Sequence, residues 1–390
     1  MRIGILLTEL PPVIGGGHTF QSEVFQAFLA LGGQSHHTFV VLCHGEAIKI
    51  LPQIHLSNVK VIPLDPPVRS LPLRLVRKLR LLNRPRPLDE QLRAAGIDFL
   101  WLMAQPDRHL DTPYLTVMLD VQHRLQPWFP EVSANGIWQQ REALFGSTLR
   151  RAAAIIVGTE VGKRELEMFY QIPPSRILIV PHPTPSFALA QSTVVRPPPE
   201  HYNLPQQYVF YPAQFWTHKN HVNLVLAVEM LVRHLNRPIT AVLVGSDHGN
   251  LRHVENVIRD RGLTDHVRIL GFVPREDLIS LYHHAFALTY VSFFGPENLP
   301  PLEAFALGCP VIAADVEGAR EQFSEGALFI DPKSPREIAD AIIRLQDDEG
   351  LRSRLVDAGR KLAAERKPET LVEKSLAFMD EFEAVRRCWA

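Results

Sequence analysis

Residues 292–323 read SFFGPENLPPLEAFALGCPVIAADVEGAREQF. A short apolar run, 287–290, precedes this stretch and reads as a strand. A Gly/Pro loop follows, then a helix that opens near Pro301 and carries Glu303. A second apolar run, 311–313, reads as the next strand and ends in a loop containing Gly318. In open α/β sheets, ligands bind beyond the carboxyl ends of the strands. A carboxylate one turn into a helix at that edge can accept hydrogen bonds from two vicinal ribose hydroxyls. The backbone amides of Asn298 and Leu299 can meet phosphate or sugar oxygens. A proline-capped helix with a solvated Glu303 accounts for Pro300 and Pro301 but not for the whole constellation.

The same alternation runs outward in both directions. Strand candidates are 3–7, 38–43, 59–62, 97–102, 114–118, 154–157 and 177–180, then 208–211, 240–244, 267–270, 287–290, 311–313 and 328–330. Helical patterns lie between many of them, at 18–31, 138–150, 160–170, 221–233, 251–261, 276–284, 302–307 and 335–345. Strands alternating with helices argue for parallel sheets covered on both faces. Residues 181–205 interrupt the pattern with PHPTP, RPPPE and NLP. Proline-rich polar stretches make semi-rigid linkers. The reading is α/β, with a first Rossmann-like domain over 1–195 and a second over 196–368. A long amphipathic helix over 369–390 is placed to cross back to the first domain.

Composition bounds the function. The chain has 390 residues, 41 Lys/Arg and 42 Asp/Glu, for a net charge of −1, so no global positive field points to nucleic acid. Cys43, Cys309 and Cys388 are too few and scattered for a disulfide framework or a Cys-rich zinc site, which fits a reduced cytoplasmic setting. The apolar run at 3–7 is too short for a signal-peptide core, and no run approaches the ~18 residues that span a bilayer. The 32 prolines exceed the 22 glycines, an inversion of ordinary usage that the loops must explain.

Three further motifs follow strands. PPVIGGGHTFQ, 11–21, places Gly15, Gly16 and Gly17 at a strand-to-helix turn, where unpaired amides can meet an anion. A simple flexible turn explains it equally well, and the Gly-x-Gly-x-x-Gly fingerprint of a dinucleotide oxidoreductase is absent. YPAQFWTHKNH, 211–221, sets Lys219 at a helix start, where cation and dipole together can hold a diphosphate. The alternative is a solvated surface lysine. His218, Lys219 and His221 have no acidic or cysteine partner in the motif to complete a metal site. MLDVQHRLQPWFPE, 118–131, carries His123, which can polarise a substrate or be merely structural.

Together these motifs resemble the family 4 retaining glycosyltransferases of the GT-B fold. The FWxHKNH and FGPxNLPPLEA strings are the specific ones, and the likeness is strongest over 208–332. The resemblance implies two Rossmann-like domains facing a cleft, and transfer of a sugar from a nucleoside diphosphate sugar to a saccharide or lipid-linked acceptor hydroxyl. GDP-mannose or a UDP-sugar is the implied donor, and surface polysaccharide assembly the implied setting. No metal or other cofactor is called for. Glu303 matches the second glutamate of the family's Glu-x7-Glu pair, which binds the donor ribose. Lys219 matches the diphosphate-binding cation. Gly16 and Gly17 match the turn that approaches the phosphates, and Val273 in GFVPREDL the backbone beside the base. His123 matches the histidine beside the transferred sugar.

Two positions depart from that pattern. Ala213 stands where an arginine is usual, with Gln214 beside it. Gly295 stands where the first glutamate of the pair is expected, and Glu297 lies two residues on. Either Glu297 takes the catalytic role or the sugar is held by loop backbone and Asn298. The departures also keep open a non-catalytic nucleotide-sugar-binding protein. Finally, residues 69–86, from Arg69 to Arg86, hold seven Lys/Arg, no acid and an apolar stripe. This is the pattern of a helix lying on an anionic membrane surface, or of an ordinary helix with a basic outer face.

Overall fold

The computed structural model describes residues 1–7, 16–44, 51–64, 87–190, 196–295 and 297–389. The basic segment from Arg69 to Arg86, and Gly15, lie outside these. Among the described residues the strands form two wholly parallel sheets. The first holds β1 (Arg2–Leu6), β2 (Thr38–His44), β3 (Val59–Leu64), β4 (Phe99–Leu102), β5 (Tyr114–Val117), β6 (Ala154–Val157) and β7 (Ile177–Ile179), in the order β3-β2-β1-β4-β5-β6-β7. The second holds β8 (Tyr208–Pro212), β9 (Thr240–Val244), β10 (Val267–Gly271), β11 (Ala287–Tyr290), β12 (Val311–Ala314) and β13 (Ala327–Ile330), in the order β10-β9-β8-β11-β12-β13. Each strand candidate of the sequence is present, within two residues at either end. Parallel strands covered on both faces read as unbroken apolar runs. Tyr114–Val117 and Ala154–Val157 accordingly bury every residue.

The helices that matter for the site are α1 (Gly16–Leu31), α2 (Glu160–Tyr170), α3 (His221–Arg233), α4 (Leu299–Ala306), α5 (Glu349–Glu365) and α6 (Pro368–Arg386). α4 begins at Leu299, ahead of the expected position. Pro300 and Pro301 fill its first turn, where an amide has no intrahelical acceptor and a fixed φ costs nothing. α5 has no counterpart in the sequence reading. Its buried face is made of Leu355, Gly359 and Ala363, too small and sparse to show as an apolar stripe. The reason is steric: a Cβ on Gly359 would press on the Phe305 ring, so α4 and α5 pack at close range only because that position is bare.

α6 returns to the first domain. Its Leu371, Val372 and Met379 are buried in one cluster with Ile3, Phe28, Phe99 and Trp101. Phe382 packs against Phe99 with ring centroids 4.9 Å apart. Deleting one such side chain to alanine costs about 2 to 5 kcal/mol in a well-packed core.

Both sheets reverse their strand order at one place, between β1 and β4 in the first and between β8 and β11 in the second. A crevice opens at such a switch point, outside the carboxyl ends of the strands. The glycine turn follows β1, the Lys219 motif follows β8, and the Glu303 motif follows β11. Elementary topology therefore brings the three quoted motifs to facing edges.

Candidate active-site cleft

A cleft of about 720 Å³ lies between the two switch points. Gly16, Gly17 and His18 line it from the first domain. Gln214, Lys219, Val273, Asn298, Leu299 and Glu303 line it from the second, together with Glu297. The domains approach closely here: a Cβ on Gly16 would stand 3.8 Å from the Leu299 side chain. The first-turn amides of α1 have no intrahelical acceptors and open on this gap.

Lys219 ends a short turn, Thr217–Lys219, and Asn220 adopts a left-handed φ of +59° before α3 begins. The turn is clamped from behind. Tyr211 donates to the Lys219 carbonyl at 2.6 Å, and the Asn220 side chain donates to the carbonyls of Val291 and Pro332 at 2.9 and 2.7 Å. The lysine amine donates to the Tyr290 hydroxyl at 2.9 Å, and that hydroxyl donates to Asn298 Oδ1 at 2.7 Å. Among the described residues Lys219 has no carboxylate partner, so its charge is available to an anion in the cleft. Gln214 is held by Trp216, whose indole N–H donates to Gln214 Oε1 at 3.0 Å. The usual arginine is absent at Ala213, but the cleft has a second cation. Arg275 lines it, with its guanidinium 5.2 Å from the Phe187 ring centre.

Glu303 is buried, and Tyr282 donates to its Oε2 at 2.7 Å. Burial pushes its pKa up to about 7, although the Tyr282 hydrogen bond and the Arg275 charge pull the other way. The carboxyl therefore titrates near neutrality, and a ligand that donates hydrogen bonds to it would favour its ionised form.

Asn298 differs from the sequence expectation. Its backbone amide already donates to Gln322 Oε1 at 3.0 Å, and Gln322 Nε2 donates back to the Asn298 carbonyl at 3.1 Å. With prolines at 300 and 301 carrying no N–H, Leu299 supplies the remaining amide of that turn for a ligand.

Glu297 reaches across to the first domain. Its carboxylate meets the ring of His182 and lies against Gly158, where any side chain would displace it. Both partners of the Glu297–His182 pair are almost wholly enclosed. Gly295 has a backbone reason to be glycine. Its φ is +122°, a region that side chains avoid, and a Cβ there would stand 2.7 Å from Asn298 Oδ1. A glutamate at 295 would be strained and would displace Asn298 from Tyr290. Gly295→Glu is therefore expected to lower the melting temperature by several degrees, for a strain of about 1 to 3 kcal/mol. An unchanged melting temperature with raised activity would show that the glutamate position is merely empty.

His123 does not line the cleft. Its ring is buried inside the first domain, with Nε2 2.7 Å from Glu142 Oε1 and 3.1 Å from the Tyr170 hydroxyl. Burial, and then the Arg141 charge, lower its pKa and keep it neutral. The residues of that motif that line the cleft are Leu119 and Asp120. Arg141 holds Asp120 at 2.7 Å, and the pair outweighs the cost of burial to leave this carboxyl below the ordinary range.

Sequence reasoning missed Asp120, His182 and Arg275. His182 sits in the PHPTP stretch, which reads only as linker, and Arg275 in GFVPREDL, which is notable for its backbone. Beside the cleft a second bridge joins the domains. The His218 backbone amide donates to Glu131 Oε1 at 2.8 Å, its ring Nδ1 lies 2.5 Å from the same oxygen, and Phe294 stacks on that ring at 3.9 Å.

Two parallel Rossmann-like sheets with facing switch points make up the GT-B architecture. Residues 198–362, most of the second domain, match the family model described as glycosyl transferases group 1. Among curated relatives, O-antigen chain mannosyltransferase B of Escherichia coli is 28% identical over 228 residues, 56% of this chain and 58% of its own length. The D-inositol 3-phosphate glycosyltransferase of Corynebacterium diphtheriae is 32% identical over 148 residues, 37% of this chain and 35% of its own. The matched stretches thus span between about a third and three fifths of those relatives. Among solved structures, sucrose-phosphate synthase from Thermosynechococcus elongatus aligns with a TM-score of 0.70 at 17% identity, covering 98% of this chain and 99% of that one. HepE of Anabaena, solved with UDP and glucose, aligns with a TM-score of 0.68 at 17% identity, covering 97% and 99%. These likenesses show the fold over essentially the whole chain.

Proposed function

We propose that the chain is a retaining, hexosyltransferase-type glycosyltransferase. It moves a sugar from a nucleoside diphosphate sugar, GDP-mannose or a UDP-sugar, to a hydroxyl of a saccharide or lipid-linked acceptor in surface polysaccharide assembly at the cytoplasmic face. The observation that carries this reading is the pairing, across one cleft, of a Lys219 without a carboxylate partner among the described residues with a buried Glu303 whose pKa is raised to about 7. The mannosyltransferase among the relatives and the UDP in a neighbour of the same fold support the substrate class. The base would lie beside Val273, the ribose hydroxyls would donate to Glu303, and the diphosphate would meet Lys219, Arg275 and the amides of Gly16, Gly17 and Leu299.

The hard step is departure of the diphosphate from the anomeric carbon, with negative charge growing on the leaving oxygens. Lys219 and Arg275 stabilise that charge in a site shielded from water. A donor phosphate oxygen takes the acceptor proton as the new bond forms on the same face, so no protein nucleophile and no metal is called on. Asn298, held by Tyr290, faces the sugar end. His123 acts, on this reading, by shaping the loop that carries Asp120. Contact with the membrane through Arg69 to Arg86 would bring the site to a lipid-linked acceptor.

The second reading, a nucleotide-sugar-binding protein without turnover, is favoured by one feature: Glu297, although it lines the cleft, is engaged by His182. A thermal-shift panel of nucleotides and nucleotide sugars tests both. Stabilisation by one nucleotide sugar, followed by acceptor glycosylation with retained anomeric configuration, is the expected result. Stabilisation without hydrolysis or transfer would select the binding protein. No response to any nucleotide sugar would overturn both.

A further inference from the structure

On the far side of the first domain, away from the cleft, the chain gathers two imidazoles and a carboxylate. His36 and His37 precede β2, and Asp380 lies on α6. One ligand atom from each falls within 4.8 Å of the others. His37 Nε2 stands 3.1 Å from Asp380 Oδ1, and His36 Nδ1 stands 3.8 Å from the same oxygen. In a tetrahedral site with zinc–ligand distances near 2.0 to 2.1 Å, ligand atoms are about 3.3 Å apart. The two separations to Asp380 bracket that value, and the two imidazole nitrogens lie within 4.8 Å of one another, so side-chain rotations can bring the three atoms toward one centre.

Two further observations point to a ligand. The His37 ring is completely buried, and its Nε2 has no hydrogen-bond partner although Asp380 is beside it. The atom lies at contact distance but off the line a hydrogen bond requires, which is costly for a buried polar atom and is what a shared ion would relieve. His36 is backed by a carboxylate. Its Nε2 lies 2.8 Å from Glu383 Oε2, an arrangement that fixes the proton on Nε2 and turns the Nδ1 lone pair toward Asp380. Metal-ligating histidines are oriented in this way by an outer carboxylate. The Met1 amino group donates to Glu383 Oε1 at 2.7 Å and lies 3.2 Å from His37 Nδ1, to which it also donates, so without a cation the His37 proton sits on Nε2 facing Asp380. Ligation through Nε2 moves that proton to Nδ1, on the side of Glu383 Oε1 4.0 Å away, and leaves the amino group to Glu383.

We propose that His36, His37 and Asp380 form a zinc-class divalent cation site that clips α6 to the first domain, with Glu383 as the outer carboxylate and water completing the coordination. Two imidazoles and one carboxylate suit Zn²⁺, and Co²⁺ as its spectroscopic stand-in, better than Mg²⁺ or Ca²⁺, which prefer oxygen ligands. The clip is independent of the glycosyl-transfer reading, and so is its test.

Untagged full-length protein, stripped with a chelator and dialysed, is titrated with Zn²⁺ and with Co²⁺. The expected results are one equivalent bound per chain, visible Co²⁺ absorption of tetrahedral type, and a melting temperature raised by several degrees. His36→Gln and Asp380→Asn, both at exposed positions, are expected to lose the equivalent, the absorption and the shift while leaving the metal-free melting temperature nearly unchanged. His37→Gln should do the same if it folds. Binding that survives both exposed-site variants, or no binding of Zn²⁺ at about 100 μM, would overturn the proposal.

Discussion

Replacing Lys219 by alanine is expected to lower sugar transfer at saturating donor by about two orders of magnitude or more. The lysine amine has one hydrogen-bond partner among the described residues, the Tyr290 hydroxyl at 2.9 Å, and no carboxylate. Its charge is therefore free to meet an anion in the cleft. A donor aimed at developing negative charge in a site closed to water contributes about 3 to 4 kcal/mol, and each 1.36 kcal/mol is a tenfold change in rate. The backbone around it is fixed by Tyr211 and Asn220, not by the lysine side chain, so the variant should melt within a degree or two of the parent. Tyr290→Phe should have a smaller effect, since it loosens Lys219 and Asn298 without removing the charge. Single-turnover rates with a radiolabelled donor measure both. Unchanged turnover in Lys219→Ala at saturating donor would remove the lysine from the reaction.

The second large effect is a pH dependence. Burial raises the Glu303 carboxyl from an ordinary 4.5 to about 7 in the empty cleft. The native state thus holds a proton that the unfolded chain gives up. On this group's account, stability is fully present below about 4.5 and is lost as pH rises through about 7. Ribose hydroxyls that donate to the carboxylate favour the ionised form, so the nucleotide binds best once the proton has left. Affinity for an intact nucleotide sugar should then rise about tenfold from pH 6 to pH 8 and level off above. Using the intact sugar nucleotide avoids the titrating terminal phosphate of a free diphosphate. Glu303→Gln should bind more weakly and show a flat profile. A wild-type profile as flat as the variant's would dismiss the ribose role.

Much of this was legible in residues whose local chemistry and topology agree. Parallel strands buried on both faces write themselves as apolar runs, so each strand candidate finds its place. The switch points then follow from strand order, and they gather Gly16, Gly17, Lys219, Val273, Leu299 and Glu303 around one cleft. What was hidden depends on distance rather than pattern. α5 lacks an apolar stripe because its packing face is built around Gly359. Asn298 looks like a free amide until Gln322, 24 positions further on, takes its N–H. His182 looks like linker until the fold brings Glu297 against it. His123 has the right spacing after β5, but the loop turns its ring inward to Glu142 and Tyr170 and presents Asp120 instead. Gly295 is explained only by a dihedral angle that no spacing rule contains. The proline excess also becomes specific: Pro300 and Pro301 strip amides from the first turn of α4 and leave Leu299 to meet a ligand.

The return of α6 bears on the order in which the molecule can be made. The first domain's own last strand ends at Ile179, yet its core includes Leu371, Val372 and Met379. A ribosome finishes every strand of that sheet long before it supplies these three side chains. The second domain, whose cluster runs from Ala188 to Ala363, has all its parts sooner. During synthesis the first domain must wait with an apolar groove uncovered while its younger neighbour folds. Translation stopped short of residue 368 would leave a finished second domain joined to an unfinished first one.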